Sequence, residues 1–266
     1  MLAPQKFVEW MSTHRHVDRR FRHVYRYHSR SDAHSIALCN EILTDLVQAC
    51  PVLRSQAERG EIVFGVNVKF TWPSTGKSKT LDLALGPPAG VPPASSLCQP
   101  IAEGKPAEVL ISCEAKTVMT EHGKSQPRIY DELSSSHEIV HQGRPDAIAT
   151  GITVVNIAKT FVSPLRQTSA KSVKISRHKQ PAVTERMVQH LRGLPIREAV
   201  GQVGFDAYTT IVVDCDNQND VRLWTAPPAP QPGEPDHYET FLDRISRLYA
   251  ERFSVLPRPR PAPGGW

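Results

Sequence analysis

The chain has 266 residues, with 32 Lys and Arg against 27 Asp and Glu, a formal net charge of +5, and 39% hydrophobic residues. This is a globular rather than disordered or fibrous composition, long enough for one large domain or two small ones with a real core. No stretch approaches the roughly 18 consecutive apolar residues of a spanning helix. The N-terminus carries Lys6 and Glu9 where a signal peptide has an apolar run, and the five cysteines include no CxxC pair. A cytoplasmic protein without a disulfide framework or thiolate zinc site is therefore expected.

Apolar residues at Phe7, Trp10, Met11, Val17, Phe21 and Val24 recur every three to four positions, which predicts an amphipathic helix over 5–27. Ser31 and Asp32 offer a cap for a second helix, whose apolar face Ile36, Leu38, Ile42, Leu43, Leu46 and Val47 runs to Cys50 before Pro51. The period then becomes two. Residues 62–72 alternate, PSTGKSK is a turn, and Leu81, Leu83 and Leu85 alternate again, predicting an antiparallel hairpin. Residues 86–106 are rich in Pro, Gly and Ala and read as a surface excursion. Strands at 109–113, 152–157 and 208–213 alternate with helices at 127–140 and 181–191. A Pro-rich linker at 226–235 leads to a helix at 236–253, opened by Asp236 and Glu239 as a capping-box-like pair, and a disordered tail at 254–266. The order predicts an α/β fold, a mixed central β-sheet flanked by helices.

The charge is unevenly distributed. Residues 14–30 hold six Arg, four His and one acid, Asp18, while 147–184 hold six Lys and Arg and no acid. Two cationic segments on an acidic remainder suit a polyanion, because neutralising phosphates releases condensed counterions. Arg19, Arg20, Arg22, Arg26, Arg166, Lys171, Lys174 and Arg177 are the expected backbone contacts to double-stranded DNA. Residues 1–30 are thus expected to form a basic helical arm on a core spanning 31–225.

Asp82 lies in the second hairpin strand, and Glu114 and Lys116 end the strand-like run VLISCEAK. With period two, Glu114 and Lys116 share a face and Ala115 takes the other. Two carboxylates beside a lysine suit metal-assisted phosphodiester hydrolysis: the acids hold a hard cation, and the lysine orients water or offsets developing charge. A second Glu-x-Lys, Glu103-Gly104-Lys105, lies in the Pro-rich excursion with no strand before it.

On Asp82, Glu114 and Lys116 the chain resembles the PD-(D/E)XK nuclease superfamily over roughly residues 31–157, with Leu81 where the motif's name has Pro and Glu114 32 positions after Asp82. The resemblance implies a restriction-endonuclease-like core and a metal-dependent DNA endonuclease, with Mg²⁺ (Mn²⁺ as a substitute) on Asp82 and Glu114. It also implies a supporting helical acid, matched by Glu41, a role for Lys116 in assisting the attacking water, and a homodimer or higher homo-oligomer. A sequence-specific type II restriction enzyme or related phage-defence nuclease is the expected kind.

Two other readings stand beside it. His137-Glu138-Ile139-Val140-His141 is a literal HExxH, which on a helix would make a zinc peptidase with Glu138 as base. A non-catalytic DNA-binding protein would use the basic segments alone. Asp214 and Asp216 read as a polar turn, and Gly201 and Gly204 lack the rest of a phosphate-binding loop.

Overall fold

The computed structural model describes all residues except Arg19, 91–100, 167–168, 170–172 and 257–266. In chain order the elements are α1 (Ala3–Thr13), β1 (His16–Val17), β2 (Val24–Tyr25), α2 (Ala33–Ala49), α3 (Pro51–Glu58), β3 (Val63–Thr71), β4 (Ser78–Gly86), β5 (Ala102–Glu103), β6 (Ile111–Val118), α4 (His122–Gly143), β7 (Ile148–Asn156), β8 (Thr160–Val162), β9 (Ile175–Arg177), α5 (Ala182–Arg192), β10 (Ala207–Asp214), β11 (Arg222–Leu223) and α6 (Tyr238–Phe253). The fold is α/β. A seven-stranded mixed sheet of order β11-β10-β7-β6-β4-β3-β5 is flanked by helices on both faces.

The centre of the sheet follows from the sequence periods. The hairpin β3–β4 and its neighbour β6 pair antiparallel, while β6, β7 and β10 run parallel. Strand β7 is buried at every residue, because a parallel strand covered by helices on both faces loses its polar alternation. Ile148, Ile152 and Val154 pack with α1, α2 and α6, while Ala147, Ala149 and Val155 pack with α4 and α5. Each fully buried Leu, Ile or Phe in these layers contributes about 1.5–3 kcal/mol. Among the described residues, no single helix is long and apolar enough to cross a membrane.

Several local expectations change. The first helix ends at Thr13, and residues 16–25 form a two-stranded antiparallel ribbon, with His16 opposite Tyr25, so the 1–30 segment is not one helical arm. Pro51 stops α2 and at once opens a short α3, which is not among the predicted elements. Helix α4 begins at His122, ahead of Pro127, which therefore lies inside the helix, where it removes one backbone bond and crowds the carbonyl four residues before it. Ala102–Glu103 is an edge strand beside β3, so the Glu103 triplet does have a short strand before it. Within 226–235, Ala229 and Pro230 are buried, so this segment packs onto the body instead of spanning open space. At α6 the capping residue is His237, with no side-chain cap bond. Asp236 instead accepts from Arg192 Nε at 2.8 Å.

One irregularity in the sheet positions the site. The β4–β6 ladder runs Leu85↔Ile111, Ala84↔Ser112, Leu83↔Cys113 and stops, so the strands part at the next residues, Asp82 and Glu114. On its other side, β4 pairs with β3 through Val66↔Leu83 and Val68↔Leu81, with Asn67 between them at φ 52°. Leu83 faces the α2 layer and Leu81 the α4 layer, although they are two residues apart. A regular strand would send both to one face. The backbone therefore turns over at Asp82.

Candidate active site

The parted strands leave Ala115 N–H without a β4 ladder partner, and Asp82 Oδ2 accepts it at 2.8 Å. Asp82 thereby lines a cleft of about 290 Å³ together with Lys116 and Thr117 of β6, Tyr27, Asp32 and Ser35 at the entry to α2, and Arg128 and Glu132 of α4. Its other oxygen has no hydrogen-bond partner among the described residues. Burial, and next the negative charge of Glu114, push the Asp82 carboxyl up to about 6, although Lys116 and Lys79 pull against them.

Glu114 is 5% exposed and held at both oxygens. Lys116 Nζ lies 2.6 Å from Oε1, Lys79 Nζ 3.3 Å from Oε2, and Ser136 Oγ donates to Oε2 at 3.0 Å. The strand period that puts Glu114 and Lys116 on one face thus brings them into contact. Lys116 also meets Glu132 at 3.5 Å, and Glu132 is bridged to Arg128 at 3.0 Å. Burial alone would lower the Lys116 pKa; Glu114, Asp82 and Glu132 more than reverse this, so the ammonium is held charged.

Lys79, Glu132 and Ser136 are absent from the sequence-derived site. Ser136 carried a signal: it falls in the apolar phase of α4 set by Ile129, Leu133 and Val140, where a buried hydroxyl requires a polar partner. Lys79 and Glu132 follow the ordinary polar phase of their elements and carry none.

Glu41 is not brought to the cleft. The α2 residues Ser35 and Leu38 line the cleft with Asp82, and next to them buried Cys39 has its thiol pushed up by burial first and further by Cys113, Asp82 and Glu114. Two residues on, at about 100° per residue, Glu41 points about 200° round the helix. There it pairs with Lys6 of α1 at 3.3 Å. The cleft is therefore lined by the carboxylates of Asp32, Asp82 and Glu132, while Glu114 lies buried behind Lys116. Among the described residues, no group of three or more His, Cys, Asp or Glu is placed to hold a metal ion. This separates the two candidate metals: Mg²⁺ is commonly held by one or two carboxylates with water and substrate phosphate, whereas catalytic Zn²⁺ takes three protein ligands.

The HExxH segment lies within α4, but its parts are engaged elsewhere. His137 is 1% exposed, packs edge-on against Phe205 at 4.8 Å, and neither ring nitrogen has a hydrogen-bond partner among the described residues. Burial lowers its pKa to about 4. His141 Nε2 is 3.1 Å from Asp206 Oδ2, and Glu138 is exposed. No third zinc ligand joins them among the described residues, so the peptidase reading is not carried further.

The basic residues divide. Arg20 and Arg22 are exposed on the β1–β2 ribbon, and Arg177, on β9, and Lys174 are exposed on the neighbouring segment. Arg26 is withdrawn from this surface: it is 8% exposed, and its guanidinium is bound to the carbonyls of Ser12 and Asn219 and to Asp220. Arg166 ends a one-turn 3-10 helix (Pro164–Arg166), with its side chain outside the described part. Arg19 and Lys171 lie outside the described residues.

Compared with protein-family models, with curated proteins and with solved structures, the chain matches none.

Proposed function

We propose that the protein is a Mg²⁺-dependent endonuclease that hydrolyses DNA phosphodiester bonds, built on a restriction-endonuclease-like core and related in kind to type II restriction or phage-defence nucleases. The observation that carries this reading is the parting of β4 and β6, which leaves Asp82 and Lys116 lining an open cleft with buried Glu114 held against Lys116. Around that end the chain runs α2, α3, the hairpin β3–β4, edge strand β5, β6, α4 and β7, so the strands bearing Asp82, Glu114 and Lys116 lie between α2 and α4.

Mg²⁺, or Mn²⁺ in its place, would be held by Asp82 and Glu114 and would supply charge neutralisation at phosphorus and an acidified water. The protein's own groups do the rest. Ala115 N–H fixes the Asp82 carboxylate, while Lys79 and Ser136 fix Glu114. Lys116, kept charged by its acidic neighbours, orients the attacking water and offsets charge on the phosphate oxygens. One cleft per chain cuts one strand, so a double-strand break calls for two copies, in keeping with a homodimer.

The test is incubation of supercoiled plasmid and phage DNA, methylated and unmethylated, with the full chain and Mg²⁺. Cleavage that EDTA stops, that Lys116→Ala abolishes and that leaves DNA binding intact is the expected result. A fully active Lys116→Ala protein refutes the assignment, and salt-sensitive DNA binding by the wild type without cleavage in Mg²⁺ or Mn²⁺ favours a non-catalytic binding protein instead.

A further inference from the structure

We infer that the β1–β2 ribbon is the sequence-reading element of this protein, entering the DNA major groove and contacting base edges rather than phosphates; this rests on the nuclease reading above. The ribbon alternates in a way that an arm built only for phosphates does not require. His16, Asp18, Phe21, His23 and Tyr25 turn inward, and Arg15, Val17, Arg20, Arg22 and Val24 turn outward. Every outward cation is an arginine, and the two apolar residues among them are valines, 43% and 44% exposed. Arginine forks onto guanine O6 and N7, and a small apolar side chain packs against the thymine methyl group. A two-stranded ribbon also matches the roughly 12 Å width of the major groove.

The tip carries no outward acid. Asp18 is consumed inside its own turn, accepting the Phe21 N–H at 2.5 Å, and the turn is closed by Asp18 N–H to His23 O at 2.8 Å and Arg22 N–H to Asp18 O at 3.0 Å. Arg20 is laid over the Phe21 ring at 4.9 Å, and the Arg22 guanidinium has no partner among the described residues.

The root is locked to the cleft. Asn217 Oδ1 accepts from Tyr27 N at 2.6 Å and its Nδ2 donates to Tyr27 O at 3.0 Å. The Tyr27 hydroxyl meets Thr117 Oγ1 at 2.5 Å, one residue beyond Lys116. Buried Arg26 ties the same root to Asn219 and Asp220. A rigid base beside the reacting groups and a charged, exposed tip would fix the spacing between the bases read and the bond cut. The second basic segment touches the ribbon through His23 Nε2 and Ser169 O, 3.2 Å apart, and supplies phosphate contacts beside it.

The experiment compares the full-length wild type with Arg20→Ala, Arg22→Ala and Arg22→Lys. Each protein cleaves a duplex library with randomised positions in Mg²⁺, and the cut ends are sequenced. Binding is measured in parallel without divalent metal over a salt series. The expected result is a defined site for the wild type and a loss of discrimination of about 10- to 100-fold at one or two base pairs for each Ala variant. Arg22→Lys should relax the same position while leaving the salt slope unchanged, since it keeps the charge and loses the fork.

Unaltered sequence preference in every variant, with the salt slope falling by about one for each Ala substitution, makes these residues phosphate contacts and overturns the inference. A wild type that cuts without sequence preference overturns it too, with the nuclease reading intact. A wild type that neither binds nor cuts any duplex overturns both.

Discussion

Asp82→Asn should make the metal-free protein more stable while removing its activity. The carboxyl is moved from its ordinary 3.8 to about 6, by burial first and by Glu114 second. At about 1.4 kcal/mol per pH unit, keeping it ionised above pH 6 costs about 3 kcal/mol. The sign follows from proton linkage. Between pH 3.8 and 6 the folded state binds the proton more tightly than the unfolded chain, so this stabilising contribution is complete below pH 3.8 and is lost as pH rises through 6. Asn keeps an oxygen for the Ala115 N–H and carries no charge. In thermal unfolding followed by circular dichroism in EDTA, the variant should melt about 5–10 °C above wild type at pH 8. At pH 5 the gap should shrink to about half. Adding Mg²⁺ at ten times its dissociation constant should raise the wild type by about 1.4 kcal/mol and leave the variant unmoved. An Asp82→Asn protein that melts at or below wild type at pH 8, or a gap that ignores pH, refutes the reasoning.

Other substitutions test the supports of the site and of the fold. Glu132→Gln removes an acid that helps hold Lys116 charged, so kcat should fall about three- to tenfold with DNA affinity unchanged. The alkaline limb of the pH–rate profile should move to lower pH, whereas a merely structural role for Glu132 would leave that limb in place. Ser136→Ala takes one of the three donors from buried Glu114 and should cost about 1–3 kcal/mol in urea unfolding. Asp206→Asn should destabilise by about 3–5 kcal/mol, because it leaves the buried Arg197 guanidinium without its counter-charge. An Asp206→Asn protein as stable as wild type would mean that the carbonyls of Pro145 and Ala147 alone satisfy that arginine.

The main sheet was legible because its strands obey simple periods. β3 and β4 alternate, β7 and β10 carry the largely apolar β-branched clusters 152–155 and 211–213, and Glu114 and Lys116 fall two apart on one strand. The acid that failed, Glu41, sits beside the apolar positions Leu38 and Ile42, and the helical period alone does not say which flank of that stripe meets the sheet and which meets α1. That choice depends on where α1 docks, a contact more than thirty residues distant in sequence. The N-terminal arm was misread because Val17, Phe21 and Val24 fit a spacing of three to four, while the alternation of inward and outward residues about a turn after Asp18 fits them equally. The tie is broken by tertiary bonds, Tyr27 to Asn217 and Arg26 to Asn219, which local sequence does not contain. Lys79 and Glu132 were invisible for a related reason: their roles exist only where two strands and a helix converge.

Asp82 and Asp206 show how the fold separates stability from chemistry with the same residue type. Both are shielded from water, and burial pushes both carboxyls upward. Around Asp206, hydrogen bonds from His141 and Arg197 and the charges of Arg197 and Arg252 overcome that push and bring it down to about 2. Its stabilisation is therefore complete at neutral pH and is lost only as pH falls through 2. Around Asp82 the largest charge effect is that of Glu114, and the two lysines that could relieve it are themselves paired with Glu114. The result is a carboxylate short of positive charge at neutral pH, in an open cleft, beside a second carboxylate. On the proposed reading a divalent cation would relieve Asp82, so the electrostatic cost of its ionised form would be returned as affinity for the metal. On this argument Asp82 is the residue where stabilising the metal-free protein and disabling the enzyme should coincide, and Asp206 the one where substitution should only destabilise.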